Sequence, residues 1–143
     1  MSVPAGGPDE TRVKHLELLQ ATIGRLGTNS FVVKGWAMTV SGGLIAAGMS
    51  GAGWTMAVIA LITTLAFWLL DTYYLEQERL FRSLYERSAG PVPTQVPLFS
   101  MDVERYAQSV PWRRVAFSRT MALFYGVSAA LDVTVAAVLQ LKA

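Results

Sequence analysis

The sequence predicts an all-α integral membrane protein. Its parts are an N-terminal amphipathic helix, a transmembrane hairpin whose second helix extends into the cytosol, and a third transmembrane helix. Three observations carry this. Residues 35–70, GWAMTVSGGLIAAGMSGAGWTMAVIALITTLAFWLL, hold no Asp, Glu, Lys, Arg or His. Residues 120–141, TMALFYGVSAALDVTVAAVLQL, hold one charge, Asp132. The flanking segments repeat apolar residues at helical spacing. A single crossing takes about 20 apolar residues, so the first run is too long for one helix and suits two.

The bulk composition agrees. Charged residues make up 15% of the 143-residue chain, against about 25% in an ordinary soluble domain. Mean hydropathy is +0.38. One small membrane domain is expected. The chain has no cysteine and one histidine, which excludes a disulfide framework, a thiolate metal site and a multi-His cluster. No Gly-rich phosphate loop follows a strand, and no Ser/His/Asp set has a believable context. An enzyme, a cofactor, a metal and a nucleic-acid partner are therefore not expected.

The first thirty residues mix Asp9, Glu10, Arg12, Lys14, Glu17 and Arg25 with leucines, unlike a signal peptide. The first span is expected to act as an uncleaved anchor. Residues 1–8 are rich in Pro and Gly, and fraying is expected there. An amphipathic helix is expected over 9–27, with Asp9 as its cap and Val13, Leu16, Leu19, Ile23 and Leu26 on its apolar face. It would lie on the membrane surface or against partner helices, or pack on the protein's own third helix. His15 reads as an exposed helix residue. Thr28, Asn29 and Ser30 read as a break and cap before the first span.

That span is expected over 31–49, with Lys34 snorkelling and Trp36 anchoring at the interface. Gly43, Ala47 and Gly51 recur every fourth residue, as do Gly42, Ala46 and Ser50. Small residues at this spacing let helices approach closely. Packing inside the hairpin is the favoured expectation, with self-association of spans as the competitor. The turn falls in GMSGAG, 48–53. The second span is expected over 54–73, with Trp54 at one interface and Trp68, Tyr73 and Tyr74 at the other. Thr63 and Thr64 can bond back to helix carbonyls. Asp71 reads as solvated at the interface.

The second helix is expected to continue to 88. Glu78/Arg82 and Arg82/Glu86 have ion-pair spacing. Leu80, Phe81, Leu84 and Tyr85 form an apolar stripe that needs a partner: the N-terminal helix, another subunit or a different protein. Residues 89–109 read as a cytosolic connector, with Pro91, Pro93 and Pro97 blocking a regular helix and a short helix near 102–109. The third helix is expected over 111–141, its span within 120–141. Eleven of the twelve Lys and Arg residues precede the first span, mark its start or lie between the second and third. The expectation is a cytoplasmic N-terminus and an external hairpin turn.

Asp132 is the one expensive residue, since a carboxylate at mid-bilayer costs about 3 kcal/mol on insertion scales. Ser118, Tyr125, Ser128 and Asp132 fall near one helix face. They are candidates to line a pore or water path. The competing reading is a neutral Asp132 bonded to Ser128, to Tyr125 or to a neighbouring span. Arg113, Arg114 and Arg119 are candidates for an anionic lipid or nucleotide.

The piece FWLLDTYYLEQERLFRSLYER (67–87), followed by LFSMDV (98–103) and the Phe124–Tyr125 helix, resembles a group of small bacterial membrane proteins. The layout is similar to SLATT-type membrane effectors. The resemblance implies a pore former of anti-phage defence in the bacterial inner membrane, controlled by a nucleotide-sensing soluble partner. It carries over no catalytic or ligand residue.

The expected function is a self-associating inner-membrane protein, a homo-oligomer in the lipid bilayer, that forms or gates a pore or ion channel. The alternative is a membrane-anchored adaptor or sensor subunit that recruits a soluble regulatory protein through helix 74–88. A small transporter is a third option, and it usually needs more intramembrane polarity.

Overall fold

The computed structural model describes residues 8–90 and 96–143, with side chains from residue 10 onward. The expected fraying of 1–7, the Asp9 side-chain cap and the effects of Pro91 and Pro93 lie outside the described residues. Helix α1 is Pro8–Ala47, α2 is Trp54–Ala89, α3 is Trp112–Ala116 and α4 is Arg119–Lys142. A π-type turn, Gly48–Ala52, joins α1 to α2, and a 3-10 turn, Glu104–Ser109, precedes α3. The described residues include no strand. Three helices, α1, α2 and α4, are long and apolar enough to cross a membrane.

The first correction concerns α1. It runs unbroken for 40 residues, about 60 Å, through the expected break at 28–30. The polar trio does not cap a new helix, because two of its side chains are used elsewhere. Thr28 Oγ1 donates back to the Gly24 carbonyl at 3.0 Å. Ser30 donates sideways to Asp71 on α2. A hydroxyl that bonds within its helix or across the bundle leaves the backbone ladder intact.

The hairpin turn works through glycine. Gly51 (φ 114°) and Gly53 (φ 86°) adopt backbone conformations that side-chain-bearing residues rarely take. The Gly53 amide donates to the Gly48 carbonyl and closes the turn. α2 then returns antiparallel to α1. The C-terminal end of α4 reaches the same turn, where Leu139 lies against Gly48. α4 therefore runs parallel to α1, and both pack on α2.

The end of the bundle away from the turn has its own core. Leu19 of α1, Leu84 of α2 and Val96 of the connector are buried together, with Phe81, Tyr85, Val103 and Tyr106 packed around them. Leu80 is buried as well. The stripe that needed a partner thus finds it largely in this chain, against α1 and the connector. Of the two expected ion pairs on α2, Glu78–Arg82 forms, at 2.5 Å.

His15 is a second correction. It is buried, not exposed. Its Nε2 donates to the Ser100 carbonyl at 3.1 Å, and its ring tilts against Phe99. The connector, held this way, covers the α1 face that carries the histidine.

The third correction lies in the last helix. The single helix expected over 111–141 is interrupted at Phe117 and Ser118, where Ser118 is extended (ψ 153°). Trp68 Nε1 donates to the Ala116 carbonyl at 3.1 Å, taking one acceptor that the interruption frees. Trp68 also meets Trp112 and Phe117 edge to face. It therefore secures α3 rather than merely marking an interface. The expected short helix at 102–109 is present as the 3-10 turn, and the Asp102 carboxylate accepts from the Glu104 amide at its start.

Candidate functional site

The interior between α1, α2 and α4 holds two polar layers. The first is centred on Asp71 of α2, which is 0% exposed. Lys34 of α1 pairs with its Oδ2 at 2.5 Å. Tyr125 of α4 donates its hydroxyl to the same oxygen at 3.0 Å, and Ser30 donates to Oδ1. Lys34 also donates to the Ser30 hydroxyl at 2.9 Å. The carboxylate is matched in charge and hydrogen-bonded on both oxygens. Interfacial solvation, the explanation expected for Asp71, is overturned by this burial.

The second layer is centred on Asp132 of α4, 1% exposed. Ser41 of α1 donates to Oδ1 at 3.1 Å. The Thr64 hydroxyl of α2 lies 2.7 Å from Oδ2. Ser41 and Thr64 lie 3.1 Å apart, oxygen to oxygen. Among the described residues no Lys, Arg or His pairs with Asp132. The layers share one register. Lys34 and Ser41, Asp71 and Thr64, and Tyr125 and Asp132 are each seven residues apart on their own helices. Seven residues are two helical turns, so the layers stack about 10 Å apart.

Beside the second layer, α1 and α4 splay and leave a cavity of about 240 Å³. Ala37, Met38, Ser41 and Ile45 form one wall, Ser128 and Leu131 the other, and Thr64 and Asp132 the floor. The cavity is open on one side and mostly apolar, with Ser41, Thr64, Ser128 and Asp132 as its polar members.

The sequence-predicted candidates separate here. Asp132 and Tyr125 are both buried but belong to different layers, so the Tyr125–Asp132 contact is replaced by Tyr125–Asp71. Ser128 donates back to the Phe124 carbonyl at 2.9 Å and borders the cavity. Ser118 has a buried hydroxyl with no partner among the described residues, at the start of α4 and well away from Asp132. Thr63 bonds back to Ile59 as expected, whereas Thr64 turns to Asp132. Gly43, Ala47 and Gly51 do not pack inside the hairpin. All three are exposed, and a Cβ built on Gly43 or Gly51 meets nothing within 4 Å. Val33, Ala37 and Ser41 take the buried face of α1 instead. Arg113, Arg114 and Arg119 are exposed and form no ion pair among the described residues.

Sequence reasoning missed Lys34, Ser30, Ser41 and Thr64 as site residues. The signal that finds Lys34, Ser41 and Thr64 is the shared seven-residue step of polar residues in three apolar helices; Ser30 lies outside that step. Among the described residues no group of His, Asp and Glu is placed to hold a metal ion. No family model, curated protein or solved structure matches the chain.

Proposed function

We propose that this is a three-span protein of the bacterial inner membrane that self-associates and gates an ion path at Asp132. The observation that carries the proposal is Asp132 itself: a buried carboxyl in the middle of an apolar helix, with no cation partner among the described residues, at the floor of a cavity. An ionisable residue inside a membrane span is a candidate for an ion or proton route by default. Insertion is supported by the outer faces of α1, α2 and α4, which expose Trp36, Met38, Ile62, Leu65, Leu123 and Val127. The orientation proposed has the N-terminus in the cytoplasm. The Lys34–Asp71 contact brings the α1 stretch up to Lys34 and the α2 stretch from Asp71 to one end, and eleven of the twelve basic residues lie at or before 34 or between 71 and 119, while the hairpin turn has none.

The resemblance to SLATT-type effectors supports a setting in anti-phage defence. The adaptor reading is weaker. Of its recruiting stripe, Phe81, Leu84 and Tyr85 pack with Leu19 and Val96 of the same chain, and Leu80 is buried. Membrane potential in cells expressing wild type and Asp132→Leu separates the two. Depolarisation by wild type and not by the variant is the expected outcome. Equal depolarisation by both removes Asp132 from the path. An intact potential in both, with every candidate partner co-expressed, returns the argument to the adaptor.

A further inference from the structure

The geometry around Asp132 can be counted in protons. Three oxygen–oxygen contacts close a ring: Ser41 to Asp132 Oδ1 at 3.1 Å, Thr64 to Asp132 Oδ2 at 2.7 Å, and Ser41 to Thr64 at 3.1 Å. With an ionised carboxylate the ring has two protons, one on each hydroxyl. One of the three contacts then sets lone pair against lone pair. With a carboxylic acid it has three protons and each of these three contacts is a hydrogen bond, with Ser41 also 3.4 Å from Oδ2. The acid donates from Oδ2 to Thr64, Thr64 donates to Ser41, and Ser41 donates to Oδ1. A buried polar network is stable when every member is satisfied.

The surroundings favour the same count. From α1 the carboxyl faces Ser41, Ala37 and Ile45, from α2 Thr64, and on its own helix Ser128. The nearest titratable groups along those helix faces are Lys34, Asp71 and Tyr125, one layer away. They are closed on one another, and the Lys34–Asp71 pair has no net charge to lend. An isolated charge in a low-dielectric interior is costly, and a carboxyl avoids that cost by keeping its proton.

We propose that Asp132, Ser41 and Thr64 form a proton-binding site, occupied in this conformation, whose deprotonation unlatches α4 from the hairpin. This deepens the gating proposal and rests on the chain spanning a membrane. The step is a single proton transfer. The Asp132 O–H bond breaks, its electron pair stays on the carboxylate, and water in the cavity between α1 and α4 accepts the proton. The new charge then draws water into that cavity and parts the two helices.

The test uses the full chain in liposomes, with infrared difference spectra between acidic and alkaline sodium-free buffer. Wild type is expected to show a protonated-carboxyl band that is lost in Asp132→Asn. The Glu76 carboxyl, which burial pushes up, contributes to the same region and remains in the variant. The asparagine keeps the shape and can donate within the ring, so the chain stays folded. Thr64→Val, which removes one ring member, is expected to shift the Asp132 band. A spectrum in which Asp132 contributes only carboxylate at every pH overturns the site. So does loss of its acid band on adding sodium at constant pH, which makes it a sodium site.

The chain has no cysteine, so spin labels on Met38→Cys and Leu131→Cys report the α1–α4 separation cleanly. The separation is expected to widen at alkaline pH in the wild-type background and to stay fixed with Asp132→Asn. A pH-independent distance overturns the latch. An acid band in a protein that never depolarises cells supports the proton site and sinks the gating reading alone.

Discussion

The two polar layers are built on one register and treat their carboxyls in opposite ways. At Asp71 a cation, a phenol and a hydroxyl converge, and the charge is matched inside the protein. At Asp132 only two hydroxyls converge, and the nearest cation on the facing α1 surface is a layer away. The first arrangement ties three helices together and leaves little to change. The second leaves a carboxyl whose charge depends on whether a proton is present. Their difference separates a structural clasp from a responsive one, although both residues are lone aspartates in an apolar setting.

The sharpest way to break this comparison is to remove the counter-charge. Lys34→Ala strands the Asp71 carboxylate, and breaking a buried pair from one side costs about 3–5 kcal/mol. The expected result is a large drop in the thermal midpoint in detergent, read by circular dichroism. The double variant Lys34→Met with Asp71→Leu should recover most of it, because no unpaired charge remains. A double variant as unstable as the single one would show that packing, not charge, governs the layer.

A finer probe is Tyr125→Phe. It removes one hydrogen bond to Asp71 and keeps the ring that packs beside Phe124. Lys34 and Ser30 still hold the carboxylate. The expected loss is about 2 kcal/mol, typical of one hydrogen bond to a charged group. A loss close to that of Lys34→Ala would give the phenol a role equal to the ion pair.

Much of the fold is legible in the residues because uncharged length is a strong signal. The runs at 35–70 and 120–141 locate the helices that could span a membrane, and the GMSGAG glycines mark the turn, as Gly51 and Gly53 require. Asp132 stands out as the one charge in the run 120–141. What is not legible is the pairing between helices. Lys34 and Asp71 sit at the ends of apolar runs, where solvent explains each of them alone. Their partnership depends on the antiparallel register of α1 and α2, which is a tertiary fact. Thr28-Asn29-Ser30 has the composition of a break, yet it is helical because tertiary bonds and back-bonding absorb its hydroxyls. His15 looks like a surface residue because the connector that covers it is distant in sequence.

The smallest expected effect on stability is at the residue with the largest expected effect on function. Asp132→Leu removes the carboxyl from its ring, yet Ser41 and Thr64 keep each other at 3.1 Å and can also bond back to their own helices. The leucine side chain lies beside a cavity with room to accept it. Interhelical hydrogen bonds in membrane proteins average about 0.6 kcal/mol, so the thermal midpoint should move far less than with Lys34→Ala. A responsive carboxyl adds little to folding, since it must be able to leave its partners. A midpoint as low as that of Lys34→Ala would make Asp132 a clasp like Asp71, and the contrast between the layers would fall with it.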